Sequence, residues 1–549
     1  MIIHIPSTVN YIGENAFFKC NELLELEIPA SVLFIGKNAF SECTKLKRAI
    51  VHGPIKSVLE KSFFNCSSLT YVEIPSTVIS LEKSSFSGCS SLTNFEVSSS
   101  VTTIKDYAFY KCSKMNQIQM PFSLTSIGNY SFSGCSSLTN IKLPKSVKTV
   151  GESAFSGCSK LEEVNIPSSI KIIKKNSFRE CFSLTQVKFN SSLTIEENSF
   201  YECSKLEKVI FPIAPSKGFR SKRTSTNIDY IIGDCAFFKC KSLSQVELNL
   251  NITSIGKSSF SECSNLEKIA IQYSLTSIGA YSFNKCSKLS KITIPSSVTS
   301  IGAYSFNECS KLSQITIPSS VTSIEKNTFY NCTSLIQVTI PYSVNNIDEN
   351  AFFGCSKLEK ISIPNQSAVI KKNVFTNCSS LKNVSLPLLM KSIDAGTFKG
   401  CKMMEQINIP SSVITIKDEA FLDCSSLTEV ELPPSLTSFG DDSFSGCSKM
   451  TQISIPQSVT EINRNAFKGC SSLINVEIPT SVTSINAYAF YKCSNLEHIK
   501  IQSTTINIAS TAFQECPKLA KEDIPNSSPK KSTYLHNYTR TSRKKATLK

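Results

Sequence analysis

Apolar residues return along this 549-residue chain with one fixed period that is much longer than a helical turn. Cysteine recurs every 23 residues from Cys20 to Cys181, steps 22 residues to Cys203 and 37 residues to Cys240, and then resumes the 23-residue period to Cys516. Phenylalanine lies three residues before each of these 22 cysteines, and leucine or methionine lies three residues after each. A fixed period of this length predicts a solenoid of about 22 similar coils.

Positions counted from the cysteine predict the structure of one coil. Residues 312–318, LSQITIP, alternate apolar and polar side chains, which predicts a short strand closed by a proline that cannot donate to a ladder. Residues 296–302, SSVTSIG, carry turn residues without a helical period, so we expect turns, short extended pieces or a 3₁₀ turn there. The apolar side chains of one coil cannot enclose each other, whereas stacked coils share a continuous core about 105 Å long.

The repeated motif I-P-S-S-V-T-S-I-G-x-x-A-F-x-x-C-S-x-L-x-x-I resembles the BspA-type, or Treponema pallidum class, of leucine-rich repeat. The resemblance covers residues 3–524, with every Phe–Cys pair present. It implies a right-handed superhelix with a parallel β-sheet on its concave face and mostly non-helical turns on its convex face. It also implies a surface antigen that adheres to host proteins or other microbes, as in oral bacteria and parasitic protists such as trichomonads.

The net charge of +15 is concentrated in two segments. Residues 213–226 carry four basic side chains and residues 525–549 carry seven, in both cases without an acid. We therefore predict a first half of the solenoid over 1–212, a basic loop insertion over 213–226, a second half of the same solenoid over 227–524 and a basic disordered tail over 525–549. Because the body is nearly balanced in charge, specific binding of nucleic acid is not expected.

The 23 cysteines allow two interpretations, a disulfide framework or buried free thiols. Equivalent residues of adjacent coils lie about 4.8 Å apart with parallel Cα–Cβ bonds, whereas a disulfide needs converging Cβ atoms about 3.8 Å apart. We therefore predict buried free thiols, and we predict that the phenylalanines form a buried stack rather than a platform for bases. A zinc site is not expected because no C-x-x-C pair occurs, and no cofactor is predicted.

Known catalytic motifs are not apparent, which predicts a protein that is not an enzyme. The four histidines, His4, His52, His498 and His536, are widely separated in sequence. Cys235 is the only cysteine outside the 23-residue register, so an enzyme or enzyme subunit that uses this thiol is the weakest alternative.

The surface that the sequence favours for binding is the outward side of the predicted strands, at positions +5 and +7 from each cysteine, here called the strand face. Its amide, hydroxyl and mixed-charge groups suit many weak contacts with an extended protein partner, although tryptophan is absent. The alternative is that these side chains only stabilise the stacking of coils. The candidate residues are Gln245, Glu247, Lys268, Lys291, Thr293, Gln314, Thr316, Gln337, Thr339, Lys360, Asn383, Gln406, Glu429, Gln452 and Asn475.

The expected partner is a protein, for example a host or cell-surface protein, and the alternative is an intracellular scaffold of the same fold. The resemblance places the chain at the cell surface, whereas the lack of a recognisable signal peptide and of an apolar run of about 18 residues favours the cytoplasm. The chain begins within a repeat and shows no evident capping unit, so we expect a fragment, an incomplete gene model or a dimer formed end to end.

Overall fold

The computed structural model describes residues 2–191, 193–212, 230–248 and 252–524. The described residues form a parallel β-solenoid of about 21 turns with almost no helix, so the predicted leucine-rich-repeat solenoid is confirmed. The predicted basic insertion 213–226 and basic tail 525–549 lie outside the described residues. Within the described ranges no helix is long and apolar enough to span a bilayer.

Each coil contributes two strands, which are numbered in chain order so that the first strand of a coil is odd and the second is even. The first strands are β1 (Ile2–His4), β3 (Glu25–Ile28), β5 (Arg48–Val51), β7 (Tyr71–Glu73), β9 (Asn94–Glu96), β11 (Gln117–Gln119), β13 (Asn140–Lys142), β15 (Glu163–Ile166), β17 (Gln186–Phe189), β19 (Lys208–Ile210), β21 (Gln245–Glu247), β23 (Lys268–Ala270), β25 (Lys291–Ile292), β27 (Gln314–Thr316), β29 (Gln337–Thr339), β31 (Lys360–Ser362), β33 (Asn383–Ser385), β35 (Gln406–Asn408), β37 (Glu429–Glu431), β39 (Gln452–Ser454), β41 (Asn475–Ile478) and β43 (His498–Ile501).

The second strands are mostly two residues long, and they form the short extended pieces that the SSVTSIG pattern allowed. They are β2 (Tyr11–Ile12), β4 (Phe34–Ile35), β6 (Ser57–Val58), β8 (Ser80–Leu81), β10 (Thr103–Ile104), β12 (Ser126–Ile127), β14 (Thr149–Val150), β16 (Ile172–Ile173), β18 (Thr194–Ile195), β20 (Tyr230–Ile232), β22 (Ile252–Ile255), β24 (Ser277–Ile278), β26 (Ser300–Ile301), β28 (Ser323–Ile324), β30 (Asn346–Ile347), β32 (Val369–Ile370), β34 (Ser392–Ile393), β36 (Thr415–Ile416), β38 (Ser438–Phe439), β40 (Glu461–Ile462), β42 (Ser484–Ile485) and β44 (Asn507–Ile508). A 3₁₀ turn, Lys521–Asp523, follows the last strand.

The first strands pair in parallel with equivalent residues opposite each other, for example Gln314 with Gln337 and Ile315 with Val338. Eleven of them, from β13 to β33, form one continuous sheet over residues 140–385. Since side chains alternate across a strand, this register puts most apolar side chains of the first strands on the inner side and most polar ones on the outer side, with Ile210 and Ala270 as exposed exceptions.

The phenylalanines stack in the core as predicted. Rings of adjacent coils lie 5.1–5.8 Å apart between centroids with interplanar angles of 2–17°. All of them except Phe17 and Phe513, in the first and last coils, are buried. Stacked rings of this kind combine a large apolar area with favourable aromatic contact.

The cysteines are free thiols, and most of them are buried, as predicted. The sequence did not reveal that each thiol also donates a hydrogen bond. From Cys43 to Cys516, each ladder Sγ lies 3.0–3.4 Å from the carbonyl oxygen of the phenylalanine in the preceding coil. Most of these carbonyls already accept the backbone N–H of the cysteine in their own coil, as Phe283 does from Cys286 over 3.1 Å. Cysteine therefore fills space and also adds a second hydrogen bond to the carbonyl, which alanine could not do.

The turns between the second strand of one coil and the first strand of the next are held together by a further set of hydrogen bonds between coils. Backbone N–H groups of Asn38, Phe40 and Glu42 donate to carbonyls of the next coil over 3.0, 2.9 and 2.6 Å. Asn38 and Glu42 have positive φ angles of 52° and 59°, and the equivalent positions in other coils are often asparagine, aspartate or glycine, which tolerate this conformation.

Candidate functional site

All fifteen predicted residues of the strand face lie on the outer side of the first strands and are exposed. Gln314 and Thr316 of β27, for instance, are exposed on either side of Ile315, which is 4% exposed. Thr293 lies one residue beyond the end of β25 and is also exposed. The alternation that the sequence predicted therefore positions the candidate residues as expected.

The register brings these residues together in columns that run from coil to coil. Gln314 lies opposite Gln337, and Thr316 lies opposite Thr339. Lys268 lies opposite Lys291. Because adjacent strands are about 4.8 Å apart, a partner that extends along the solenoid would meet a new side chain at each such step.

The side chains of the strand face are mostly free of partners. Gln452 Nε2 donates to Glu429 Oε1 over 2.9 Å. The other thirteen candidate side chains make no hydrogen bond or ion pair with another residue in the described ranges. The alternative that the amide and hydroxyl ladders stabilise stacking by bonding to one another therefore lacks support in the contacts of these thirteen side chains.

Hydroxyl ladders that do join coils lie elsewhere on the molecule. Thr125 Oγ1 donates to the carbonyl of Thr102 over 3.0 Å, and Thr276 Oγ1 donates to that of Thr253 over 2.8 Å. These threonines precede the second strands. The solenoid thus uses side chains to fasten coils on one surface and leaves comparable groups unbonded on the strand face.

The strand face also continues through the first coils, which the candidate list omitted. Arg48 and Tyr71 occupy the same +5 position, and the guanidinium of Arg48 lies 5.3 Å from the centre of the Tyr71 ring. The Tyr71 hydroxyl donates to Glu73 over 3.0 Å, and this hydrogen bond raises the pKa of Tyr71. The sequence contained the signal for both residues, since they lie five positions after Cys43 and Cys66. Arginine and tyrosine are common anchors at interfaces.

Cys235, the thiol proposed as an alternative nucleophile, lies in the turn after β20 with a φ of 52° and is partly buried. Burial raises its pKa, and the neighbouring carboxylates of Asp234 and Glu197 raise it further. A raised pKa reduces the thiolate fraction at neutral pH and so works against nucleophilic use. In the part of the chain that the structure describes, no group of three or more His, Cys, Asp or Glu side chains could hold a metal ion.

Comparison with known proteins identifies the repeat. A family model described as BspA type leucine rich repeat region (6 copies) matches residues 2–116, 102–221, 216–327, 299–427 and 414–541. A solved leucine-rich repeat protein from Bacteroides ovatus is 24% identical over 87% of this chain and 92% of that chain, with a TM-score of 0.41. No curated protein is similar enough to count as a match.

Two further solved structures are similar over smaller parts of the chain. A leucine rich cell surface protein from Faecalibacterium prausnitzii is 27% identical over 69% of this chain and 83% of that chain, with a TM-score of 0.31. A leucine rich repeat protein from T. pallidum is 26% identical over 37% of this chain and 77% of that chain, with a TM-score of 0.24. The family model, by contrast, extends over nearly the whole length.

Proposed function

We propose that this protein, which belongs to the BspA-type leucine-rich repeat family, is a non-enzymatic protein that binds an extended protein partner along its strand face. The observation that carries the proposal is that thirteen of the fifteen candidate side chains are exposed and have no hydrogen-bond or ion-pair partner among the residues that the structure describes. Free amide, hydroxyl and ammonium groups repeated over many coils favour numerous weak contacts with an elongated partner.

The finer part of the proposal is adhesion at a cell surface, with a host or cell-surface protein as the partner. Family membership supports it. A membrane-impermeant biotin reagent applied to intact cells that make the protein tests this part. Labelling of intact cells would support adhesion, whereas labelling only after lysis would favour an intracellular scaffold that uses the same face.

Binding itself can be tested by selection of peptides from a random displayed library against the full chain. The variant Gln314→Ala/Gln337→Ala/Thr339→Ala removes polar groups from the strand face. A matched control, Thr276→Ala/Thr299→Ala/Thr437→Ala, removes exposed hydroxyls near the second strands.

We expect selected peptides to bind the wild type and the control, and to bind the strand-face variant at least tenfold more weakly. If selected peptides bind all three proteins equally, or if none is enriched, the strand face is not the binding surface.

A further inference from the structure

The charge on the strand face changes sign along the solenoid. The central part, which is the outer side of the continuous sheet β13–β33, carries six lysines and two glutamates. The part before it, β3–β11, carries four glutamates and one arginine, and the part after it, β35–β43, carries three glutamates and one lysine. The central lysines are Lys142, Lys188, Lys208, Lys268, Lys291 and Lys360.

Several of the flanking charges already have partners on the protein. Lys500 Nζ lies 2.8 Å from Glu477 Oε1, and Glu429 accepts from Gln452. His52 Nε2 lies 3.0 Å from Glu27 Oε1. None of the six central lysines has an ion pair or a side-chain hydrogen bond to another residue of the described ranges.

Two of these lysines are placed against each other. Lys268 and Lys291 are partners in the register of β23 and β25, so their side chains leave adjacent strands on the same side. Like charges directly opposite each other in a sheet are destabilising. An anion lying over both ammonium groups would remove this repulsion.

Some lysines on the other surfaces are accompanied by a carboxylate of the neighbouring coil. Lys105 lies 2.9 Å from Glu82, and Lys371 lies 3.2 Å from Asp348. Lys326 lies 3.0 Å from Glu349. The repeat can therefore place an acid one coil away from a lysine, and in the described ranges it does so for none of the six central lysines.

We infer that the central strand face binds an acidic, extended polypeptide segment, an inference that rests on the proposed function and names the chemistry of the partner. Carboxylates of the segment lie over the lysines, and its peptide groups bond to the amides between them, such as Gln245, Gln314 and Gln337. Lys208 and Lys360 lie on strands six steps apart, which is about 29 Å. An extended segment of about nine residues covers this distance.

The probe is a fluorescein-labelled 12-residue peptide of alternating glutamate and serine, and the readout is the dissociation constant from fluorescence anisotropy of the full-length chain. The test variant is Lys208→Gln/Lys268→Gln/Lys291→Gln. The matched control, Lys105→Gln/Lys326→Gln/Lys371→Gln, removes the same number of charges from lysines that are paired on other surfaces.

We expect the test variant to bind the peptide at least tenfold more weakly and the control to differ less than twofold from the wild type. Equal weakening in both variants would overturn the inference, because the peptide would then respond only to net charge. Tighter binding of oligothymidylate or heparin than of the peptide, lost in the same test variant, would also overturn it, because the face would then select polyanions of another class.

A second variant is designed to gain binding, because a variant that merely misfolds would only lose it. The charge reversal Lys268→Glu/Lys291→Glu should weaken binding of the Glu–Ser peptide and strengthen binding of a Lys–Ser peptide of equal length. If library peptides bind through the strand face but the acidic peptide does not, the inference fails and the proposed function stands. If neither binds, both fail.

Discussion

The inner and outer residues of the first strands lie on the same backbone, yet they follow different rules. Inside, each coil presents nearly the same side chain as its neighbour, as where Ile315 of β27 lies opposite Val338 of β29. In the turn that precedes β27, Phe306 likewise stacks on Phe283 at 5.5 Å and on Phe329 at 5.6 Å. Outside, the side chain at +5 changes from Lys291 to Gln314 within one step. An inner side chain packs on its own copy in the next coil, so its identity is constrained by the stacking of coils. Only the outer positions are free to vary with a partner.

The largest effect on stability is expected when alkaline pH ionises the thiols of the interior. Burial raises the pKa of the Cys135 thiol to about 12, and that of Cys424 likewise to about 12. A thiol in the unfolded chain has a pKa of about 8.5. The folded state therefore has its full stability below about pH 8.5 and loses about 1.4 kcal/mol per pH unit for each such thiol as the pH rises towards the folded pKa.

We expect denaturation midpoints to fall steeply between pH 9 and pH 11. The slope in the variant Cys135→Ala should be smaller than in the wild type by the share of one thiol. Parallel slopes in the two proteins would show that the Cys135 thiol does not contribute to the alkaline loss.

The next largest effect comes from removing one ring of the buried stack. Phe306→Ala should lower the stability by about 3–5 kcal/mol, because a fully buried ring leaves a cavity between two neighbours. Gln314→Ala, in the same coil but on the strand face, should change it by less than about 0.5 kcal/mol. Urea denaturation followed by circular dichroism measures both, and similar losses in the two variants would remove the distinction between inner and outer residues.

A smaller effect is expected from single thiols. Cys309→Ala removes a fully buried Sγ and its 3.2 Å hydrogen bond to the carbonyl of Phe283, which should cost about 1–2 kcal/mol. Cys235→Ala, in a partly exposed turn, should cost less than about 0.5 kcal/mol. The same urea experiment separates the two, and a neutral Cys309→Ala would mean that the ladder thiols only fill space that can collapse.

The smallest effect compares two serines at one repeat position, four residues before the cysteine. Ser177 Oγ donates to the carbonyl of Lys174 over 2.7 Å, whereas the buried Ser282 Oγ has no partner among the described residues. Ser177→Ala should therefore destabilise the protein by about 1 kcal/mol, while Ser282→Ala should be neutral or slightly stabilising. Thermal unfolding of the two variants gives the sign, and destabilisation by Ser282→Ala would indicate a bonded hydroxyl.

The repeated sequence was enough to predict the fold, whereas the properties of the strand face could be predicted only in part. Twenty-two copies of a Phe–Cys pair specify the buried columns, because a position that never varies must contact its own copy in the next coil. The bond from the Cys43 thiol to the carbonyl of Phe17 was missed, since the pattern of apolar residues does not reveal a weak donor. The +5 and +7 positions were enough to locate the strand face. The lack of an ion pair at Lys268 among the described residues could not be predicted, because it depends on the conformations of neighbouring side chains, which the 23-residue period does not specify.

The spacing of the bonds between coils determines how this protein can change in length. The thiol bonds span 26 residues in most coils, and the bonds of Thr125 and Thr276 span 23, so every coil bonds to the same positions of its neighbour. After loss or duplication of one complete 23-residue unit, equivalent atoms of adjacent coils can still form the same bonds. After loss or duplication of a partial unit, these atoms no longer lie opposite each other. The chain can accordingly lengthen or shorten its strand face in increments of about 4.8 Å while its interior stays the same.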